Sequence, residues 1–155
     1  MNETTITARP DTPFIEVVRE FDAPRGRVFR AWTDPEIVPQ WLGPRGMTMK
    51  VVEFTATPGG GYRYIHADDT GEYAFRGVFH NVVQDELIIQ TFEYEGAPND
   101  VCLETMTFED LGDGRTRVHG RSVYSTVEAR DAMVASGMEH GMRESMERLD
   151  EVLAR

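Results

Sequence analysis

The alternation of apolar and polar residues between positions 47 and 124 constrains the fold more than any other feature of the sequence. A period of two places successive side chains on opposite faces of a β-strand. Glycine, proline, asparagine or aspartate interrupts this alternation at five places, and these residues favour tight turns. Short links join antiparallel neighbours, so the region predicts an antiparallel meander. Its six predicted strands are Met47–Glu53, Tyr62–Ala67, Glu72–Val83, Glu86–Tyr94, Val101–Glu109 and Arg115–Tyr124.

The segment before the meander predicts one strand and two short helices. Apolar and charged residues mix in Phe14–Phe21, as in a half-buried strand. Pro24 suits the beginning of a first helix, because proline is tolerated in the first turn. A second helix is predicted to begin at Thr33-Asp34-Pro35-Glu36, which offers an oxygen-bearing cap, a proline and an acid. It is predicted to end at Gly43-Pro44.

The clearest helical pattern follows the meander. It begins at Ser125-Thr126-Val127-Glu128, which fits a capping box, and its apolar stripe continues to Leu153. The pattern predicts a single helix of about 28 residues, about 42 Å long. Gly137 and Gly141 interrupt it, each at a cost of about 1 kcal/mol relative to alanine. That cost indicates a close approach by packed backbone or by a ligand.

A helix of that length needs a long concave partner, and a twisted sheet curls into such a surface. The sequence therefore predicts an α+β helix-grip fold in the order β-α-α-β₆-α, with a curled antiparallel sheet wrapped around a long C-terminal helix. A chain of 155 residues is enough for one domain with a sizeable core. We expect a single domain over residues 1–155, with a flexible N-terminal segment at 1–12.

The charge of the chain disfavours two classes of partner, nucleic acids and anionic membranes. The net charge is −11, Lys50 is the one lysine, and the arginines are scattered among acids. Nucleic-acid binding needs a basic stripe, and an anionic membrane surface attracts basic segments, so we expect neither partner. The N-terminus lacks the apolar run of a signal peptide, and no stretch reaches the roughly 20 apolar residues of a membrane span. We therefore expect a cytoplasmic protein.

No catalytic, metal or cofactor motif stands out. The four histidines do not lie at metal-ligand spacing, and Gly59-Gly60-Gly61 leads into a strand rather than a phosphate-binding helix. His140 is predicted to lie at the rim or surface. Cys102 is the sole cysteine, so it is predicted to be a small buried hydrophobe without a disulfide. We expect no catalytic residue, no metal and no cofactor.

Aromatic residues and methionines carry the remaining functional signal. Alternate positions of the predicted strands place several rings on common faces, and two methionines lie one turn apart on the last helix. Such residues either fill a solid core or line a ligand cavity, since both uses need apolar faces. The sequence leaves both readings open. The candidate cavity residues are Trp41, Tyr62, Tyr64, Phe75, Phe79, Phe92, Met106, Met138 and Met142.

The chain carries five short motifs in this order: Phe21-Asp22-Ala23-Pro24, Ala31-Trp32-Thr33-Asp34-Pro35-Glu36, Trp41-Leu42-Gly43-Pro44, Pro58-Gly59-Gly60-Gly61-Tyr62-Arg63 and Gly137-Met138-Glu139-His140-Gly141-Met142. With these motifs the chain resembles a known family, the activator of heat-shock protein 90 ATPase homologues, within the START-like, birch-pollen-allergen (SRPBCC) superfamily. The similarity covers about Phe14 to Leu153. Many members carry a Trp-Trp pair before Gly-Pro where this chain has Trp41-Leu42. We expect this difference to alter the mouth of the cavity, so the resemblance does not imply the identity of the ligand.

The resemblance implies a helix-grip fold with a hydrophobic cavity between the sheet and the C-terminal helix. Three functions fit this expectation. The first, which we favour, is the binding of a small hydrophobic or aromatic molecule. The second is a cyclase-like or hydrolase-like enzyme, which a buried convergent histidine or carboxylate would favour. The third is an interaction module, either a homodimer or a chaperone partner in the stress response, which a collapsed core with a large exposed apolar patch would favour.

Overall fold

Eight strands form one antiparallel sheet in the computed structural model, which describes residues 2–155. Their lateral order is β1-β2-β8-β7-β6-β5-β4-β3, so the predicted meander is confirmed. The short strand β1 pairs with β2 and was not predicted from the sequence. The strands are β1 (Thr5–Thr7), β2 (Phe14–Phe21), β3 (Thr48–Phe54), β4 (Gly61–Asp68), β5 (Gly71–Val83), β6 (Leu87–Tyr94), β7 (Val101–Gly112) and β8 (Arg115–Val123).

The first predicted helix is present as α1, Arg25–Thr33, but the second is reduced to a 3₁₀ turn at Val38–Gln40. Pro39 explains the difference, because proline has no N–H to donate and its ring clashes with the preceding helical turn. The Asp34 side chain also accepts a hydrogen bond from the Glu36 backbone N–H at 2.9 Å, which stabilises a turn.

The C-terminal helix is broken, so the prediction of one continuous helix was wrong. It consists of α2, Val127–Ala135, and α3, Met138–Leu153. Gly137 separates them with a φ of 85°, the left-handed conformation in which glycine commonly ends a helix. The helix that packs along the sheet is thus the 16-residue α3, about 24 Å long. The cap of α2 is Thr126, whose hydroxyl accepts from the Ala129 N–H at 3.0 Å.

The well-packed part of the interior lies between α1, the C-terminal half of α3 and the adjoining strands. Phe29 of α1 meets Phe108 of β7 edge to face, with ring centroids 5.1 Å apart. The Trp41 indole N–H donates to the Ala31 carbonyl at 2.9 Å, which satisfies the polar atom of a buried ring. Leu149 of α3 is fully buried in the same cluster. These contacts fix α3 against one end of the sheet.

Arginines attach the N-terminal segment to the helices. The buried Arg130 of α2 donates to the carbonyl oxygens of Arg9 and Phe14, and Arg143 of α3 donates to that of Thr4. Arg19 of β2 is also buried, and it pairs with Asp150 of α3. Within residues 2–155 no helix is both long enough and apolar enough to cross a membrane.

Candidate ligand cavity

A cavity of about 480 Å³ lies between the inner face of the sheet, helices α2 and α3, and the loop that precedes β3. Ligand pockets typically measure about 300–1,000 Å³, so a small organic molecule fits. The break between α2 and α3 borders the cavity at Ser136 and Gly137. Methionine dominates the helical side, where Met133, Met138, Met142 and Met146 line it. Methionine is flexible and polarisable, which suits the packing of varied ligand shapes.

Four rings on the sheet form what we call the aromatic wall: Tyr62, Tyr64, Phe75 and Phe92. The rings of Tyr62 and Tyr64 are 6.0 Å apart and inclined by 15°. Tyr64 stacks on Phe75 at 5.4 Å, and Phe75 stacks on Phe92 at 5.4 Å. The wall therefore runs across β4, β5 and β6 as one stack.

Gly77 makes room for one end of the aromatic wall. It lies opposite Tyr62 in the β4–β5 register, and a Cβ atom at this position would come within 2.5 Å of the Tyr62 ring and hydroxyl. The ring lies across the glycine, and its hydroxyl donates to the Thr91 carbonyl at 2.6 Å. Burial raises the pKa of the Tyr62 and Tyr64 hydroxyls, so both remain neutral.

Three polar side chains on adjacent strands form what we call the polar row: Gln90 of β6, Glu104 of β7 and Ser122 of β8. Both neighbours lie directly opposite Glu104 in the strand register. Gln90 donates to one carboxyl oxygen of Glu104 at 2.9 Å, and the Ser122 hydroxyl donates to the other at 3.2 Å. All three line the cavity. Two neutral donors thus hold the Glu104 carboxyl in place.

Burial raises the pKa of the Glu104 carboxyl, and the hydrogen bonds from Gln90 and Ser122 offset only part of this effect. Glu104 keeps some accessible surface, and it lines the cavity. Such a group either holds a proton or requires a favourable partner when it is ionised.

His66 forms a second polar point on the cavity wall. It is 6% exposed, and its Nδ1 has no hydrogen-bond partner among residues 2–155. Burial, reinforced by the positive charge of Arg148, lowers the pKa of the imidazole, so the neutral ring is favoured. Gly43 packs on this ring in a left-handed conformation, and a Cβ there would come within 2.5 Å of His66 Cε1. The loop before β3 therefore needs glycine at this point.

The structure places eight of the nine predicted cavity residues around this one cavity. Phe79 is the exception, because Phe54 and Tyr62 enclose its ring in the packed interior at centroid distances of 5.6 and 5.3 Å. The role of the other eight in binding stays a prediction. They are Trp41, Tyr62, Tyr64, Phe75, Phe92, Met106, Met138 and Met142.

Glu104 was not among the predicted cavity residues, although its position in the sequence carried a signal. Cys102, Met106 and Phe108 share the inward face of β7, and Glu104 occupies the same alternate register. A charged residue among inward apolar residues is informative, because buried charges are rare without partners. Once Glu104 is recognised as inward-facing, the strand register identifies Gln90 and Ser122 as the residues opposite it on the two neighbouring strands.

Metal and thiol chemistry gain no support from the geometry. Over the part of the chain that the structure describes, no three His, Cys, Asp or Glu side chains converge on a metal position. Independence from metals stays a prediction. Cys102 is buried as predicted, and burial raises the pKa of its thiol, which keeps it unreactive. His140 lies on the surface, as expected, with an exposed side chain near Glu144.

Comparisons with known proteins agree with the fold. The family model described as activator of Hsp90 ATPase homolog 1-like protein matches residues 22–154. A crystal structure of a Rhodobacter sphaeroides protein is 29% identical, with 98% of this chain and 99% of that chain covered and a TM-score of 0.89. A solution structure from Arthrobacter aurescens is 27% identical, with 97% and 91% covered and a TM-score of 0.88. No curated protein matches the chain significantly.

Proposed function

The chain belongs to the activator of Hsp90 ATPase homolog 1-like family, whose fold commonly binds ligands, and we propose that this member binds a small, largely apolar or aromatic molecule in its cavity. The observation that carries the proposal is the composition of the cavity wall. Stacked rings line one side and methionines the other, while a few fixed polar groups interrupt them. An apolar pocket with few convergent polar groups is typical of small-molecule sites.

A neutral fluorescent probe tests the proposal directly. N-phenyl-1-naphthylamine should bind with saturation and a stoichiometry of about one. Native mass spectrometry of freshly purified protein should also show any co-purified small molecule. Met142→Trp should fill the space beside the aromatic wall and abolish probe binding, while the melting temperature stays within a few degrees.

A matched control separates filling of the cavity from general damage. Val134→Trp adds the same ring on α2, at a residue that is 41% exposed and does not line the cavity. This variant should bind the probe as the wild type does. Wild-type protein that binds no probe, together with a strongly destabilised Met142→Trp, would show that the interior is effectively solid. That result would contradict the proposed function.

Acid–base catalysis is a second candidate, and one observation favours it. Glu104 is a carboxyl with a raised pKa, fixed by two hydrogen bonds and facing a cavity, which is the environment of many general acids and bases. Molecules that co-purify with the wild type and with Glu104→Gln test this candidate. If Glu104 is catalytic, the wild type should co-purify with product and Glu104→Gln should co-purify with unreacted substrate. Identical masses from both proteins would contradict catalysis through Glu104.

A further inference from the structure

The cavity wall carries a carboxyl group that has no basic partner. Among residues 2–155, Glu104 is the one carboxylic side chain on its wall. No basic side chain is paired with it, since its two hydrogen-bond partners are the neutral Gln90 and Ser122. Each carboxyl oxygen accepts one of these bonds, which leaves further lone pairs available. Glu104 therefore has unused capacity to accept hydrogen bonds.

The positive groups on the same wall are occupied or directed elsewhere. The guanidinium of Arg19 pairs with Asp150 and donates to the Thr4 hydroxyl at 2.9 Å, while its buried Nε has no hydrogen-bond partner among residues 2–155. Arg121 follows Gly120 and precedes Ser122, so its side chain is on the opposite face of β8, and it lies over the Phe14 ring at 4.0 Å. His66 is favoured in its neutral form. None of these groups neutralises Glu104.

The polar row continues the aromatic wall. Phe92 and Gln90 are two residues apart on β6, so they share the inward face. Cys102, the residue opposite Phe92, is likewise two positions from Glu104 on β7. A ligand whose apolar body packs against the rings therefore has Glu104 beside it. Phe92 and Glu104 are thus diagonal neighbours on adjacent strands, which typically lie about 7–8 Å apart, so a short linker can join an aromatic body to a polar group at Glu104.

From this juxtaposition we propose that the cavity selects small molecules with an apolar or aromatic body and a cationic amino group, and that the ammonium pairs with Glu104. The inference rests on the proposed function of the same cavity. A buried carboxylate is stabilised by a cation that also hydrogen-bonds to it, whereas an anionic ligand here would be repelled. The net charge of −11 favours the approach of cations as well.

A matched pair of probes tests the inference. 2-(2-Naphthyl)ethylamine is cationic at pH 7, and 2-(2-naphthyl)ethanol has the same body with a neutral hydroxyl. Isothermal titration calorimetry of the wild type should show the amine binding about 10-fold or more tightly than the alcohol, the usual gain from a hydrogen bond to a charged group. Glu104→Gln keeps the size of the side chain but removes its charge. It should abolish this preference and leave the affinity for the alcohol within about threefold.

Glu109→Gln is the control, because it removes the same charge from the same strand. Glu109 is exposed and pairs with Arg117 away from the cavity. This variant should keep the preference for the amine. Equal affinities of the wild type for both probes would overturn the inference, and so would a preference that survives Glu104→Gln. In either case binding of the alcohol or of the neutral fluorescent probe would leave the proposed function standing, whereas loss of all binding would contradict both.

Discussion

The two ends of the space between the sheet and α3 are filled in opposite ways. At the packed end, Phe108 of β7 faces Phe29, and Leu149 of α3 is fully buried. At the cavity end, the same strand carries Glu104 and the same helix carries Met142, and both line open space. The strand β7 and the helix α3 reach both ends, but α1 covers the packed end and α2 covers the cavity end. We therefore expect different stretches of this strand and this helix to contribute to stability and to the proposed ligand binding.

The largest expected effect tests this division within α3. Leu149→Ala should lower the free energy of unfolding by about 2–5 kcal/mol, because it leaves a cavity in close-packed surroundings. Met142→Ala should cost about 1 kcal/mol or less, since the Met142 side chain already borders open space. Denaturant unfolding of both variants gives the comparison. Equal losses would mean that the two ends are equally packed.

Two glycines on the inner face of the sheet give the next effect. Gly77→Ala should destabilise by about 1–3 kcal/mol, because its Cβ would collide with the Tyr62 ring and with the Thr91 carbonyl. Gly120→Ala should change stability by about 0.5 kcal/mol or less, since the nearest atoms to its Cβ are 3.8 Å away. Thermal melts distinguish them. A harmless Gly77→Ala would show that the aromatic wall is loosely held.

The third prediction concerns Glu104 and pH. Burial raises the pKa of its carboxyl in the folded state above the ordinary value of 4.5, so the folded protein binds this proton more tightly than the unfolded chain does. The stability contributed by this proton is present below about pH 4.5 and is lost as the pH rises through the folded pKa. Glu104→Gln avoids that loss and should be more stable at pH 7, by on the order of 1 kcal/mol.

Denaturant unfolding between pH 4 and pH 8 measures this effect. The advantage of Glu104→Gln over the wild type should grow with pH. Glu109→Gln, which changes an exposed carboxylate, should show no such trend. The opposite trend, in which the free energy of unfolding of the wild type rises with pH relative to that of Glu104→Gln, would contradict this prediction. It would mean that the polar row stabilises the carboxylate more than burial destabilises it.

The smallest effect is expected at Gly141. A Cβ atom there would have no neighbour within 4 Å, although the residue lies on the cavity side of α3. Gly141→Ala should therefore stabilise the protein by about 0.5–1 kcal/mol through helix propensity alone. A melting temperature that rises without a change in probe affinity would support this. A lower melting temperature would instead mean that other atoms pack closely against Gly141.

Sequence periodicity predicted the sheet well and the helices less well. Phe14–Phe21 was predicted to the residue, since alternation and turn residues are local signals. The break at Gly137 was missed because a glycine within an amphipathic pattern indicates a cost but not a backbone conformation. Cavity-facing rings were found because strand alternation gives the face of each residue. The alternation of β7 places Glu104 on the inward face, but its hydrogen bonds to Gln90 and Ser122 depend on the register of three strands and could not be predicted.

The pairing of β2 with β8 has a consequence for how the chain folds. Ile15 lies opposite Ser122, so strands about one hundred residues apart must meet before the sheet is complete. Contacts between such distant positions carry a large entropic cost of loop closure, and folding is slow where they dominate. During synthesis one edge of β2 can pair with β1, but the edge that pairs with β8 stays open until β8 emerges. The inward apolar residues of β2 stay exposed to water until the sheet closes around them. We therefore expect folding in milliseconds to seconds, limited by this closure step, with aggregation of nascent chains as the competing reaction.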